Sequence, residues 1–159
     1  MRSDADIEEA IDRYGDAVLR ACSAYLSPHD AEDAFQDTFL RYATHETAFN
    51  DEEHRKAWLI RVAMNLSKDH LRRSSTKAQP LDEAPEIAVE SEDDRLADRM
   101  RMNEALRQLS DDQRLALMLS AVEGYAVPQI AAIMGKPENT VYSHITRGKR
   151  KLRKVLGDD

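Results

Sequence analysis

The sequence predicts an all-α protein of two small helical domains joined by a flexible acidic linker, with a helix-turn-helix in the second domain. Ala, Leu, Arg and Glu are frequent and strand-forming residues are sparse, which favours helices. Apolar residues recur at steps of three and four along most of the chain. The segment 74–94 interrupts that pattern with two prolines and many carboxylates, which predicts domains at 1–73 and 95–159.

Composition narrows the class of protein. The chain has 159 residues, of which 42% are apolar, so it can build a packed core. Its single cysteine, Cys22, allows no internal disulfide and is expected to be a small buried residue. The acidic N-terminus lacks the apolar run of a secretory signal, and no stretch approaches the ~20 apolar residues of a membrane span. We therefore expect a soluble, cytoplasmic protein.

Three helices are expected in the first domain. They are predicted over 7–25, 28–43 and 54–73. The first has a possible bend at Gly15, and the second begins at Ser27-Pro28, where Ser caps a helix and Pro suits its first position. The segment 44–53 breaks the periodicity and is expected to be a loop.

Four helices are expected in the second domain. They are predicted over 95–109, 111–122, 127–134 and 138–156. Ser110 and Gln113 fit a capping box, and Pro128 and Gly135 bound the short third helix. Two helices joined by a short glycine-containing turn have helix-turn-helix spacing.

Charge is distributed unevenly along the chain. The formal net charge is −7, yet residues 99–159 hold 11 Lys/Arg against 7 Asp/Glu. The basic residues concentrate in 136–154, where seven Lys/Arg accompany one Glu, whereas 74–98 holds two Lys/Arg and eight acids. We hypothesise that the acidic linker lies over the basic C-terminal helix and weakens its DNA binding.

The last predicted helix has two distinct faces. At about 100° per residue, its buried stripe is expected to be Val141, Ile145, Gly148, Leu152, Val155 and Leu156. Its polar face is expected to be Ser143, Arg147, Arg150 and Lys154, with Tyr142 and Thr146 near the edge. Such a face suits the major groove of DNA. The alternative is a solvated basic face on an ordinary terminal helix, against which the preceding short helix and turn argue.

Several segments resemble a known family. The sequence GKPENTVYSHITRGKRKL at 135–152 resembles the signature Gly-x-Pro-x-x-Thr-Val-x-Ser-x-x-x-Arg-Gly/Ala-x-x-x-Leu of bacterial RNA polymerase sigma factors. The similarity extends to ALRQLSDDQRLALMLSAVEGY, YGDAVLRACSAY, DAEDAFQDTFLRYA and KAWLIRVAMNLSKDHLRR. Because 74–98 is too short for the additional domain of larger sigma factors, the chain is most similar to the two-domain extracytoplasmic-function class.

The resemblance implies a function and its partners. Members of this class bind core RNA polymerase, recognise the −35 and −10 promoter elements and help to melt the DNA. They are not enzymes, take no cofactor or small-molecule substrate, and are usually held inactive by an anti-sigma factor. A free-standing helix-turn-helix regulator with an N-terminal interaction domain is the alternative. A third possibility is an interaction module that titrates a regulator.

The resemblance also assigns candidate residues. Polymerase binding falls on Glu32, Asp33, Gln36 and Asp37. Recognition of the −10 element falls on Phe49, Asn50, Arg61, Asn65, Lys68 and Arg72. Recognition of the −35 element falls on Thr140, Tyr142, Ser143, Thr146, Arg147, Arg150 and Lys154. Phe49 has a second interpretation, as a core anchor. Since Tyr142 and His144 stand where the family often has Lys or Arg, the preferred −35 sequence does not carry over.

Other chemistry finds little support. The five histidines show no ligand spacing with each other or with Cys22, so no metal site is expected. No glycine-rich phosphate loop or nucleophile motif is present in the sequence. His70, on a predicted apolar stripe, is expected to be a boundary residue rather than a pH sensor.

Overall fold

A computed structural model describes residues 1–74 and 96–157, which form seven α-helices and, within those ranges, no strand. The helices are α1 (Asp4–Ser23), α2 (Pro28–Thr44), α3 (Glu52–Ser74), α4 (Leu96–Arg107), α5 (Asp111–Ala121), α6 (Val127–Met134) and α7 (Glu138–Leu156). The all-α prediction is confirmed. The predicted linker 74–94 lies outside the described residues, apart from Ser74, which is the last residue of α3.

Local sequence signals set the helix boundaries. Ser3 caps α1 by accepting a hydrogen bond from the Asp6 N–H, so this helix begins three residues earlier than predicted and continues through Gly15. The expected capping box of Ser110 and Gln113 opens α5. Gly135 ends α6 with a φ of 64°, a left-handed conformation that favours glycine.

Helices α1, α2 and α3 form an N-terminal bundle around Val18, Tyr42 and Leu59. The buried side of α3 differs from the apolar stripe that the sequence spacing predicts, which is Trp58, Leu59, Val62, Ala63, Leu66 and His70. Ile60, Met64 and Ser67 are buried, whereas the expected Trp58, Val62, Leu66 and His70 are only half-buried. The stripe is rotated because α3 packs against α1 and α2 on one side and against α6 on another.

Helices α4 to α7 form a C-terminal bundle. Helix α7 packs on α5 at Gly148, where an added Cβ would contact a methyl group of Leu117 at 3.6 Å. Apolar periodicity places Met100, Val122 and Val155 on the inner sides of their helices, but all three are exposed. Val122 lies one residue beyond the end of α5, and Val155 lies in the last turn of α7, past the contact with α5.

Arg55 is a buried cation that joins all three helices of the N-terminal bundle. Its guanidinium donates to Glu9 at 2.6 Å, to Glu52 at 2.9 Å and to the Tyr42 hydroxyl at 3.0 Å. Tyr42 in turn donates to Asp6. Hydrogen bonds lower the pKa values of three carboxyls in this cluster. Arg55 lowers the pKa of Glu9, and Tyr14 and Arg55 lower the pKa of Glu52. Tyr42 and Arg2 lower the pKa of Asp6.

The substitution Arg55→Met should lower the free energy of unfolding by about 1–3 kcal/mol at pH 7. The carboxyl pKa values are lower in the folded state, so their contribution is present above an unfolded pKa of about 4 and is lost as the pH falls through the folded values. The difference between wild type and variant should therefore shrink below about pH 4. Urea titrations across pH measure it.

Arg13→Met is the matched control, because Arg13 pairs with the same Glu9 and Glu52 but is exposed. It should cost less than about 0.5 kcal/mol. Equal losses in the two variants would show that burial of Arg55 has no special importance.

Candidate nucleic-acid and polymerase interfaces

Helix α7 turns a basic face to solvent. Val141, Ile145 and Gly148 are buried, as predicted, and Leu152 is half-buried. The predicted −35 residues Tyr142, Ser143, Thr146, Arg147, Arg150 and Lys154 are all exposed. Thr140, the third residue of the helix, is half-buried near its positive N-terminal end.

The cations of this face are available to a ligand. Within residues 1–74 and 96–157, Arg147, Arg150 and Lys154 form no ion pair inside 4 Å. Burial lowers the pKa of His144, and Lys136 and Arg147 act in the same direction against the opposing effect of Asp112. The positive charge of this face therefore comes from its arginines and lysines.

Helix α2 exposes an acidic face. Glu32, Asp33, Gln36 and Asp37 are all exposed, on the side away from the buried Ala34, Thr38 and Phe39. Leu40 continues this face and is 66% exposed, which sequence reasoning missed. The signal was its spacing of three and four residues from Asp37 and Gln36. Leu40 therefore places one apolar side chain beside the carboxylates of this face.

The polar face of α3 is only partly open. Arg61 and Asn65 are exposed, as predicted. Lys68 is half-buried, and its ammonium lies 3.6 Å from Asp112 of the C-terminal bundle. Arg72 is exposed and pairs with Asp69. Two of the four predicted −10 residues on this helix therefore already hold partners within the chain.

Phe49 and Asn50 are neighbours in the loop before α3, but their side chains have different environments. The Phe49 ring is half-buried and stacks on Tyr42 with ring centroids 6.3 Å apart, while Trp58 lies 5.6 Å away. The Arg2 guanidinium lies over the same ring at 5.2 Å. Asn50 is exposed, and its backbone N–H donates to His54 Nδ1 at 3.1 Å. This packing favours the core-anchor interpretation of Phe49.

One cluster of possible metal ligands exists among the described residues. Oxygens of Asp30 and Asp33 and a nitrogen of His70 lie within 4.8 Å of one another. Sequence spacing could not reveal it, since the fold brings the end of α3 to the start of α2. His70 lies 3.6 Å from Asp30, which is an ion-pair distance rather than a ligand arrangement.

The described helices include none that is long and apolar enough to cross a membrane.

Comparison with known families assigns both bundles. The family Sigma-70 region 2 matches residues 10–76, and the family Sigma-70, region 4 matches residues 99–152. The chain is 31% identical to the ECF RNA polymerase sigma factor SigM of Mycobacterium tuberculosis, across 98% of this chain and 86% of that one. It is also 31% identical to the RNA polymerase sigma factor CarQ of Myxococcus xanthus, across 80% of this chain and 75% of that one.

Solved structures agree with these families. The sigma factor RpoE of Bartonella quintana, solved with the anti-sigma factor NepR, superposes with a TM-score of 0.76 at 27% identity, covering 97% of this chain and 98% of that one. CnrH, solved with the cytosolic domain of CnrY, has the same fold, with a TM-score of 0.68 at 24% identity, covering 99% of this chain and 91% of that one.

Phe49→Ala should lower the free energy of unfolding by about 1–3 kcal/mol, because the ring loses its contacts with Tyr42 and Trp58. Asn50→Ala is the control and should change stability by less than about 0.5 kcal/mol. Chemical denaturation of the two variants compares them. If Phe49→Ala were as stable as the control, the aromatic packing would not anchor the loop.

Proposed function

This chain belongs to the extracytoplasmic-function sigma factors of bacterial RNA polymerase, and from that premise we propose how its two bundles divide promoter recognition. It is a promoter-specificity subunit rather than a free-standing helix-turn-helix regulator. We propose that the N-terminal bundle binds core polymerase and the −10 element, and that the C-terminal bundle reads the −35 element. Sigma factors are transcription initiation factors and not enzymes, so no catalytic residue is proposed.

The exposed basic face of α7 supports its role as the −35 reader. A guanidinium at the position of Arg147 can make two hydrogen bonds to a guanine edge in the major groove. Arg150 and Lys154, farther along the same face, suit phosphate contacts. Thr140, in the first turn, is placed for a backbone phosphate at the helix N-terminus. Tyr142, Ser143 and Thr146 complete the surface that meets the bases.

The acidic face of α2 supports binding to the polymerase. In this family the corresponding helix meets the clamp helices of the largest polymerase subunit, whose surface includes arginines. Exposed carboxylates at Asp33 and Asp37 can form charge-assisted hydrogen bonds with such a surface. Leu40, at the end of the face, offers an apolar contact beside them.

The polar face of α3 supports capture of the melted −10 strand. Arg61 and Asn65 are exposed on one side of the helix, and Lys68 and Arg72 continue it. Cations can follow the backbone of single-stranded DNA, and an exposed amide can form hydrogen bonds with the edge of a flipped base. Of the two loop residues assigned to the −10 element, Asn50 is exposed and Phe49 is half-buried. We therefore propose that Asn50 contacts the flipped base, while Phe49 holds the loop in place.

Two further parts of the proposal are the cellular compartment in which the chain acts and the protein that inhibits it. Since the partner is RNA polymerase, the site of action is proposed to be the cytoplasm. The Bartonella quintana RpoE was solved with an anti-sigma factor. By that similarity we propose that a protein of this kind binds the present chain and restrains it.

The exposure of Arg147 among unpaired cations carries the −35 assignment, and Arg147→Ala tests it. With core polymerase and a promoter that the wild-type chain transcribes, run-off transcription should fall about 100-fold, through loss of a bidentate contact and a charge. Binding to core polymerase should stay unchanged. Arg107→Ala, an exposed arginine of α4, is the control. Loss of core binding with Arg147→Ala would indicate misfolding, and full transcription would refute the role.

The double substitution Asp33→Arg with Asp37→Arg should weaken binding to core polymerase by about 100-fold or more, since two attractive pairs become repulsive. Fluorescence anisotropy of the labelled chain against core enzyme measures the affinity. Asp12→Arg with Asp16→Arg is the matched control, because these acids are exposed on α1 with the same spacing. Equal effects of the two double variants would contradict a specific role for α2.

A further inference from the structure

Arg2 lies just before α1 and contacts the segment 45–51 that joins α2 to α3, called here the α2–α3 loop. Its backbone N–H donates to the Ala43 carbonyl at 2.9 Å. Its guanidinium donates to the Tyr42 carbonyl at 3.0 Å and to the Thr47 carbonyl at 3.1 Å. The side chain is only 15% exposed. One residue before the first helix thus holds both the end of α2 and the middle of the loop.

Two of these contacts fall on carbonyls at the end of α2, where a helix lacks donors of its own. The last four C=O groups of an α-helix have no partner within it, and a cation is favoured at this negative end. Tyr42 and Ala43 belong to that last turn, and the chain leaves the helix at His45 in an extended conformation. By bridging Tyr42 and Thr47, the Arg2 guanidinium fixes the direction in which the loop departs.

The α2–α3 loop has few other hydrogen bonds. Within residues 1–74 and 96–157, the backbone of 46–49 makes only one, which is the bond from Arg2 to the Thr47 carbonyl. The next anchored group is the Asn50 N–H, which donates to His54 Nδ1. Segments with few contacts open locally at low cost in free energy. The conformation of the loop therefore depends on Arg2 and on the packing of Phe49.

The Arg2 guanidinium also supports that packing. It lies 4.4 Å from the ring centroid of Tyr42 and 5.2 Å from that of Phe49, and the two rings stack on each other. A cation over a ring face is attracted by the ring quadrupole. Asp6 accepts a hydrogen bond from the same guanidinium at 3.2 Å and so orients it. Arg2 thus holds the immediate neighbour of Asn50, the residue proposed to contact the flipped base.

We propose that Arg2 is a positioning residue for the −10 element, which holds the α2–α3 loop in the conformation that presents Asn50 to the flipped base. Its guanidinium is engaged by acceptors within the chain, so it acts through the loop and not by touching DNA. The match to Sigma-70 region 2 begins at residue 10, so Arg2 lies outside the matched segment. A loop that is held in this conformation in only a fraction of molecules lowers the apparent affinity for the melted strand by that fraction. This inference rests on the proposed function of the loop.

Trp58 reports the state of the loop without DNA. It is the only tryptophan of the chain, and its ring centroid lies 4.4 Å from that of His45 and 5.6 Å from that of Phe49. Arg2→Gln removes both the charge and the planar group that donates to two carbonyls. In this variant the loop should separate from Trp58, and quenching of the tryptophan fluorescence by acrylamide should roughly double.

Promoter opening supplies the second measurement. With core polymerase and a promoter that the wild-type chain transcribes, permanganate reactivity of the −10 thymines should fall by about tenfold in Arg2→Gln, with unchanged affinity for core polymerase. Arg2→Lys keeps the charge but not the planar fork, so its loss should be only about threefold. Arg13→Gln is the matched control, because this exposed arginine of α1 pairs with Glu9 and Glu52 rather than with the loop. It should leave both measurements unchanged.

A double-mutant cycle separates positioning from general stabilisation. If Arg2 acts through Asn50, then Arg2→Gln should lower promoter opening by less than about twofold in a chain that already carries Asn50→Ala. Equal losses in the two backgrounds would overturn the proposal. So would unchanged acrylamide quenching in Arg2→Gln, or full promoter opening by a chain whose loop is released. Circular dichroism verifies that the variants are helical, and if Arg2→Gln is unfolded, Arg2→Lys supplies the same cycle.

Failure of the proposed function has a different signature. Undiminished promoter opening by Asn50→Ala alone would reject the role of the loop, and with it the positioning role of Arg2. Failure of the present inference alone would combine a normal loss in Asn50→Ala with an equal effect of Arg2→Gln in both backgrounds.

Discussion

The packing of α7 through one narrow stripe is the constraint on which its exposed basic face depends. Val141, Ile145 and Gly148 face the core, and the absence of a side chain at Gly148 lets the helix approach α5 closely. Because these residues are spaced by three and four, they lie on one side of the helix, and the opposite side is exposed. Arginines and lysines there keep their charge in water, and their position relative to one another is fixed by the helix.

The helices of the N-terminal bundle also bury one side and expose the other, but a buried cation joins them. Helices α2 and α3 each bury one side and leave a polar side outward, acidic on α2 and mainly basic on α3. Here a buried cation, Arg55, joins the three helices through Glu9, Glu52 and Tyr42. This centre links the three helices, because the Arg55 guanidinium donates to an acceptor from each of them. The two polar sides are thereby held in a defined relation.

The sequence predicted most of the helices because their signals are local. Ser110 with Gln113, Pro128 and Gly135 determine where helices begin and end, whatever lies around them. The exposed faces of α2 and α7 also follow from periodicity. The contacts of Arg2, Arg55 and Asp112 could not be predicted, since their partners lie far away in the chain: Arg2 and Thr47 are 45 residues apart. The buried side of α3 was predicted wrongly for the same reason: its contact with α6 joins segments that are far apart in the chain.

The faces proposed for the bases and for the enzyme lie on separate helices and share no residue. A substitution at Ser143 or Thr146 changes no buried contact, so the recognised sequence can drift in evolution while attachment to the transcription machinery is preserved. Duplicated copies of such a gene can therefore acquire new sets of target genes through a handful of outward-facing positions. The constraint on that divergence is the inner stripe of α7, which must stay apolar and narrow in every descendant.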